Sequence, residues 1–238
     1  MNALLASVRN LDEARIALAG GCDWLDIKEP ADGALGQAPL SVVGDIVVLA
    51  ARRVPVSATI GDRWDRPASI ADAVTDMAGT GVDYIKVGVR ARAVGDATLA
   101  ALRAACADER AVIAVCMAEA PPQADDLAAL AVCGLRGIML DTMDKQGPRL
   151  TGLMSVAALR AFVGEVQRLH LLAGLAGKLR ATDIAGLAIC GADYLGFRSA
   201  LCAAGERRGN IDAQALATVR AALDGCAASH PINTSEVA

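Results

Sequence analysis

The apolar positions of this chain alternate between two textures. Short β-branched or aliphatic runs are each followed by a longer stretch in which apolar residues recur every three or four positions. The short runs predict strands at Leu4–Val8, Trp24–Lys28, Val56–Ile60, Tyr84–Val87, Ala111–Met117, Gly137–Asp141, His170–Ala173 and Tyr194–Phe197. The longer stretches predict helices from Leu11, over Leu40–Arg53, after Pro67, and over Ala97–Ala107, Ala124–Val132, Ser155–Gln167, Thr182–Ile189 and Asp212–Leu223. Strands alternating with helices predict a parallel sheet, and eight such units in 238 residues favour closure into a (β/α)₈ TIM barrel, an α/β fold in one domain.

Glycine-containing links lead into an acidic residue and then a strand at Gly20-Gly21-Cys22-Asp23, Gly79-Thr80-Gly81-Val82-Asp83 and Cys190-Gly191-Ala192-Asp193. Glycine supplies the left-handed cap that turns the chain back toward the sheet. The rival fold, a doubly wound open sheet, usually carries a glycine-rich turn after its first strand, and Ser7-Val8-Arg9-Asn10 is not one. No linker divides residues 1–229, and residues 230–238 read as a mobile polar tail.

Composition narrows the classes of function. Apolar residues are 54% and charged residues 21%, enough for a large core. Mean hydropathy is +0.40 and pI about 5.2. A representative apolar run, Ile46 to Ala51, lies between Asp45 and Arg52-Arg53. It is far short of the ~20 residues of a membrane span. Aromatic residues are 3% and net charge is −4 without a basic block, which argues against nucleic acid as a partner. No signal peptide is evident, so a cytoplasmic protein without membrane contact is expected. The apolar fraction also hints at a homo-oligomer. The seven cysteines are widely spaced without a CxxC pair, and read as reduced core residues. With only His170 and His230 as histidines, no zinc site is expected, whereas magnesium on carboxylates stays open.

Lysine distribution carries the sharpest signal. Of 23 basic residues only Lys28, Lys86, Lys145 and Lys178 are lysine, and all four fall at the end of a predicted strand or in the loop after it. In a barrel those positions form the catalytic face. Arginine replaces lysine as a solvated charge but not as an amine nucleophile or base. Side chains alternate along a strand, so Asp26 and Lys28 share one face and Leu25 and Ile27 the other. Lys86 likewise opposes Ile85 and Val87. Lys28, Lys86 and Asp141, all from even-numbered strands, are expected to converge. Two amines in one dry pocket lower each other's pKa, which suits one to imine formation and the other to proton transfer. The plain alternative is an Asp26–Lys28 or Asp141–Lys86 ion pair.

The last two loops read as an anion site. Gly174, Gly177 and Lys178 follow the seventh predicted strand, Gly196, Arg198 and Ser199 close the eighth, and Gly205-Glu206-Arg207-Arg208-Gly209 comes later. Barrels often bind phosphate there, which favours a phosphorylated small substrate. Gly61-Asp62-Arg63 and Glu119 add polar groups to the same face, and Glu29 to Gly36 reads as a rigid turn and a flexible loop over the mouth.

Asp26-Ile27-Lys28-Glu29-Pro30 running on to Gly33-Ala34-Leu35-Gly36 resembles the start of the (5-formylfuran-3-yl)methyl phosphate synthase family of methanofuran biosynthesis. Ser57 to Asp62, Asp83 to Gly88, Met139 to Thr142 with Lys145, Leu172 to Gly174 and Gly191 to Arg198 extend the likeness in order to about Asn210. The resemblance implies a TIM barrel that joins two molecules of glyceraldehyde 3-phosphate into a phosphorylated furan aldehyde, with loss of phosphate and water. It implies Lys28 as the Schiff-base lysine, Lys86 as proton acceptor, and Asp26, Asp141 and Lys145 as further charged site residues. The chain departs from the family pattern at Lys178 and in a short Ala118 to Pro122 loop. Its arginine- and alanine-rich composition suggests a bacterial member, from a methylotroph.

The leading expectation is a metal-independent, cofactor-free carbon–oxygen lyase acting on a triose phosphate. The alternatives are a class I sugar-phosphate aldolase and a non-catalytic sugar-phosphate sensor. A metal-dependent barrel decarboxylase with an Asp-x-Lys-x-x-Asp motif is disfavoured, because Ala31 stands where the second aspartate belongs.

Overall fold

The computed structural model describes residues 2–90 and 94–229. Eight parallel strands, β1 (Ala3–Val8), β2 (Trp24–Ile27), β3 (Val56–Thr59), β4 (Tyr84–Val89), β5 (Val112–Met117), β6 (Gly137–Asp141), β7 (Leu172–Leu175) and β8 (Tyr194–Phe197), form a closed barrel in sequence order. The helices are α1 (Leu11–Ala19), α2 (Leu40–Ala50), α3 (Ile70–Ala78), α4 (Asp96–Ala105), α5 (Ala124–Ala131), α6 (Leu150–Leu153), α7 (Val156–Arg168), α8 (Ile184–Ala188) and α9 (Ala213–Ser229). The structure is thus a (β/α)₈ TIM barrel.

Alternation along each strand sorts the core into two parts. Outward residues such as Leu25, Ile27, Ile85 and Val87 pack with Val43 and Ile46 of α2 and Val74 and Met77 of α3. Inward residues form a separate cluster that includes Leu5, Trp24, Ile113, Val115, Met139 and Tyr194. The charged residues of the interior stand among its members, Lys86 in register with Ile113 and Asp141 in register with Met117.

The repeated glycine–acid links have a common mechanism. Gly21, Gly81 and Gly191 adopt φ of +75°, +82° and +73°, a region that favours glycine. Each turn delivers an aspartate to the foot of the next strand. The Asp23, Asp83 and Asp193 carboxylates accept the backbone N–H of Leu4, Val56 and Ala173 at 2.7–2.8 Å. Each acid therefore staples its own strand to the neighbouring one.

Three expectations need correction. Strand β7 starts at Leu172 rather than His170, because His170 takes a left-handed turn conformation at φ +59°. Gly174 consequently lies inside the strand and not in the loop after it. Lys86 is the third of six residues in β4, well inside the barrel rather than at a strand end. The one-turn helix α6 carries too short an apolar pattern to be seen in the sequence. The expected tail, residues 230–238, lies outside the described residues. Among the described residues no helix is long and apolar enough to cross a membrane.

Candidate active site

The barrel floor is aromatic. The rings of Trp24 and Tyr84 lie 4.6 Å apart, and those of Trp24 and Tyr194 lie 4.9 Å apart. Tyr194 fits because Gly174 opposite has no side chain: a Cβ there would come within 2.3 Å of the ring. The Lys86 ammonium lies 5.6 Å from the Tyr194 ring centroid, where the ring face attracts a cation.

Asp26 is the hub above this floor. Its Oδ1 pairs with Lys86 Nζ at 2.8 Å and accepts the Ser57 hydroxyl at 2.8 Å. Its Oδ2 accepts the Ser7 hydroxyl at 2.9 Å and lies 4.0 Å from Lys28 Nζ. Burial alone would raise the Asp26 pKa, but the charges of Lys86 and Lys28 outweigh it and hold the carboxyl below its ordinary value. Burial pulls Lys86 below the usual lysine range, against the opposing pull of Asp26. Lys86 is 2% exposed and firmly paired, whereas Lys28 has its nearest acid beyond hydrogen-bond reach and lies at the open end. One anion thus serves two amines held with unequal grip.

Asp141 and Lys145 form a second pair. Lys145 Nζ meets Asp141 Oδ1 at 2.7 Å and also donates to the Thr142 carbonyl. The Asp141 carboxyl resists the upward push of burial through Lys145 and Lys28, and sits below its ordinary value. Burial lowers the Lys145 pKa against the pull of Asp141. The loop that carries Lys145 is shaped by Glu119, whose Oε1 accepts the backbone N–H of Met143 at 2.9 Å and of Asp144 at 3.1 Å. The close pairings in the structure are Asp26–Lys86 and Asp141–Lys145. Of the two that the strand faces suggested, Asp26–Lys28 is present as a longer ion pair at 4.0 Å, while Lys145 takes the place of Lys86 on Asp141.

One pocket is lined by Asp26, Lys28, Lys86, Asp141, Lys145, Gly177, Lys178, Gly196, Arg198 and Ser199. Gly174 is not among its lining residues, since the Tyr194 ring covers it. Arg198 touches the pocket, but all five of its guanidinium donors are taken. Nε donates to the Arg207 carbonyl; Nη1 to the Ser7 carbonyl and Glu13; Nη2 to Glu13 and the Gly209 carbonyl. Its geometry is that of a brace for the loop after β8, with no donor left over for a phosphate. Its partner Glu13 is buried on α1, 185 residues away in the chain, and no local sequence pattern marks the pairing.

The cation that reaches across the mouth is Arg207. It donates to the carbonyls of Pro30 and, at 2.8 Å, Gly33. Asp62 Oδ2 and Oδ1 hold the same loop through the N–H groups of Ala34 and Leu35 at 3.2 Å. The loop after β2, expected to be flexible, is tied at both ends. Ser7, Ser57 and Glu119 are site-shaping residues with no strong sequence signal; only their inward face or loop position hinted at them. Among the described residues no group of three or more His, Cys, Asp or Glu side chains is arranged to hold a metal ion.

Comparison with known proteins agrees with this architecture. A family profile described as 4-HFC-P synthase matches residues 4–220. A Methanopyrus kandleri protein named (5-formylfuran-3-yl)methyl phosphate synthase is 34% identical over 234 residues, covering 92% of this chain and 98% of the relative. A Methylorubrum extorquens protein provisionally given the same name is 44% identical over 223 residues, 92% of each chain. Among solved structures, phosphoribosyl anthranilate isomerase from Thermus thermophilus superposes with a TM-score of 0.67 at 14% identity, over 94% of this chain and 99% of that one. A 3-hexulose-6-phosphate synthase does so at 0.62 and 20%, over 93% and 99%. At those identities the likeness is one of fold.

Proposed function

The chain belongs to the 4-HFC-P synthase family, and from that premise we propose that it condenses two molecules of glyceraldehyde 3-phosphate into (5-formylfuran-3-yl)methyl phosphate. Atom balance requires release of one inorganic phosphate and two waters per furan formed. In this reading the enzyme is a carbon–oxygen lyase that works through a lysine imine without metal or organic cofactor, and supplies methanofuran-type C1 metabolism in a methylotroph's cytoplasm.

The observation that carries the reading is the sharing of Asp26 by two lysines of unequal freedom. Lys28, loosely held at the open end, is the amine that attacks the carbonyl. Water leaves as the imine forms, and the nitrogen then draws electrons from the adjacent carbon. Lys86, drier and of lowered pKa, takes and returns the proton on that carbon. Asp26 balances the positive charge of imine and ammonium and keeps both nitrogens in register. Asp141 and Lys145 stand on the far side of the pocket, suited to proton delivery to the hydroxyl or phosphate that departs. Gly177, Gly196 and Ser199 line the pocket and receive the first substrate's phosphate in this reading.

Borohydride trapping with glyceraldehyde 3-phosphate, followed by intact mass and peptide mapping, tests this. The expected result is one reduced adduct on the peptide holding Lys28, lost in Lys28→Arg. An adduct that maps to Lys86 or Lys178 and survives that substitution overturns the assignment. Turnover to a sugar phosphate without phosphate release would place the protein with class I aldolases, and binding without turnover with sensors.

A further inference from the structure

Outside the catalytic pocket the barrel mouth opens into a second, wider cavity. The inner pocket offers about 30 Å³ of free space, the outer vestibule about 850 Å³. The two share Lys145, Lys178, Ser199 and Arg207 as a common wall. Around the vestibule stand Lys145, Arg149, Lys178, Arg180, Arg207 and Arg208, with Glu206 as the only acid lining it among the described residues. In a chain of net charge −4 this is a strong local reversal of sign. Charges of one sign around a concave wall concentrate oppositely charged solutes there.

The cations differ in how far they are committed. Arg149 is paired with Asp183 at 3.0 Å, Lys178 donates to the Gly147 carbonyl, and Arg207 holds the loop after β2. Arg180 and Arg208 are exposed. The hydrogen bond of Arg180 to Asp183 uses its backbone N–H and leaves its guanidinium out of that cap.

We propose that the vestibule is a second phosphate subsite, in which Arg180 and Arg208 hold the phosphate of the second triose phosphate while the first is bound as an imine on Lys28. The assignment rests on the proposed condensation. The inner pocket is narrow and shares its Lys145, Lys178, Ser199 and Arg207 wall with the vestibule, so a second substrate approaches from the vestibule side. With its phosphate among these arginines, its carbonyl end points past Lys145 toward the imine. The subsite selects for a phosphorylated second partner and disfavours neutral aldehydes.

The test begins with protein whose inner pocket is filled by the borohydride-reduced adduct. Calorimetric titration with inorganic phosphate is expected to show one remaining site. Arg180→Ser/Arg208→Ser should weaken it about tenfold. Arg103→Ser/Arg160→Ser, which removes the same charge from exposed helix positions, should leave it unchanged. No phosphate binding by the adduct, or equal binding in the arginine double variant, overturns the proposal. If no adduct forms, the proposed function fails separately. The unreacted protein then decides: two phosphate sites reduced to one by the double variant support the subsite, and one site in both excludes it. Steady-state kinetics separates second substrate from departing phosphate. A raised half-saturating triose phosphate concentration in the double variant supports the assignment. Weakened product inhibition with unchanged half-saturation overturns it in favour of an exit site.

Discussion

The Asp26 carboxylate on β2 meets the Lys86 ammonium on β4 at 2.8 Å, reaching past β3, which lies between them. Strand β3 contributes Ser57 to the same oxygen, so the pair is bridged rather than screened. The second Asp26 oxygen faces Lys28 at 4.0 Å. This arrangement makes one buried charge responsible for both the stability of the barrel interior and the state of two amines.

Lys86→Met is expected to destabilise the protein by about 3–5 kcal/mol, because it strands a buried carboxylate. Lys86→Met combined with Asp26→Leu should recover much of that loss, since removing both charges ends the desolvation cost. Urea denaturation of the three proteins measures it. Equal destabilisation of single and double variants would show that the pair is not a unit.

The pH dependence follows from the directions of the shifts. Asp26 and Asp141 lie below 3.8 in the folded protein, so their stabilising contribution is complete above 3.8 and is lost as pH falls through their folded values. Lys86 lies below 10.5, so its contribution is complete only above 10.5 and declines as pH falls toward its folded value. Denaturation midpoints across acid pH should drop below pH 3.8 in the native sequence, and more gently in Asp26→Asn.

The proton-transfer role of Lys86 needs the neutral amine. Turnover should therefore rise with pH along a limb centred below 10.5. Asp26 raises the Lys86 pKa, so Asp26→Asn should move this limb to lower pH even as the rate falls. A limb that stays in place in Asp26→Asn would remove Lys86 as the titrating group.

Lys28→Arg should cost at least about 1,000-fold in turnover, as expected for loss of a covalent nucleophile. Its melting temperature should change little, because the charge is kept and Asp26 still has Lys86. Retained activity near the native level would end the imine mechanism.

Gly174→Ala should destabilise by about 1–3 kcal/mol through overpacking against the Tyr194 ring. Gly174→Ala with Tyr194→Leu should relieve it, and phosphate affinity should stay level throughout. A loss of phosphate affinity that the second substitution does not repair would restore Gly174 to the anion site.

The sequence by itself determined the barrel and the direction of its interior charges. Eight alternating units leave few topologies, and a period of two decides which strand residues face inward, so Asp26, Lys28, Lys86 and Asp141 were legible as one inward set. The glycine–acid links were legible as turns, although their stapling of adjacent strands was not. What the tertiary structure alone decided is who pairs with whom. Barrel curvature and strand stagger set cross-barrel distances that no local pattern encodes, and they gave Asp26 to Lys86, whereas Asp141 pairs with Lys145 only four residues on, in the loop after its own strand. They also turned Arg198 inward onto Glu13, some 185 residues away in the chain, and left Arg207 to cross the mouth. A left-handed residue at His170 shifted β7 by two positions and moved Gly174 from loop to core. Periodicity is a property of neighbours in the chain, whereas charge pairing depends on neighbours in space, and only closure of the barrel brings those together.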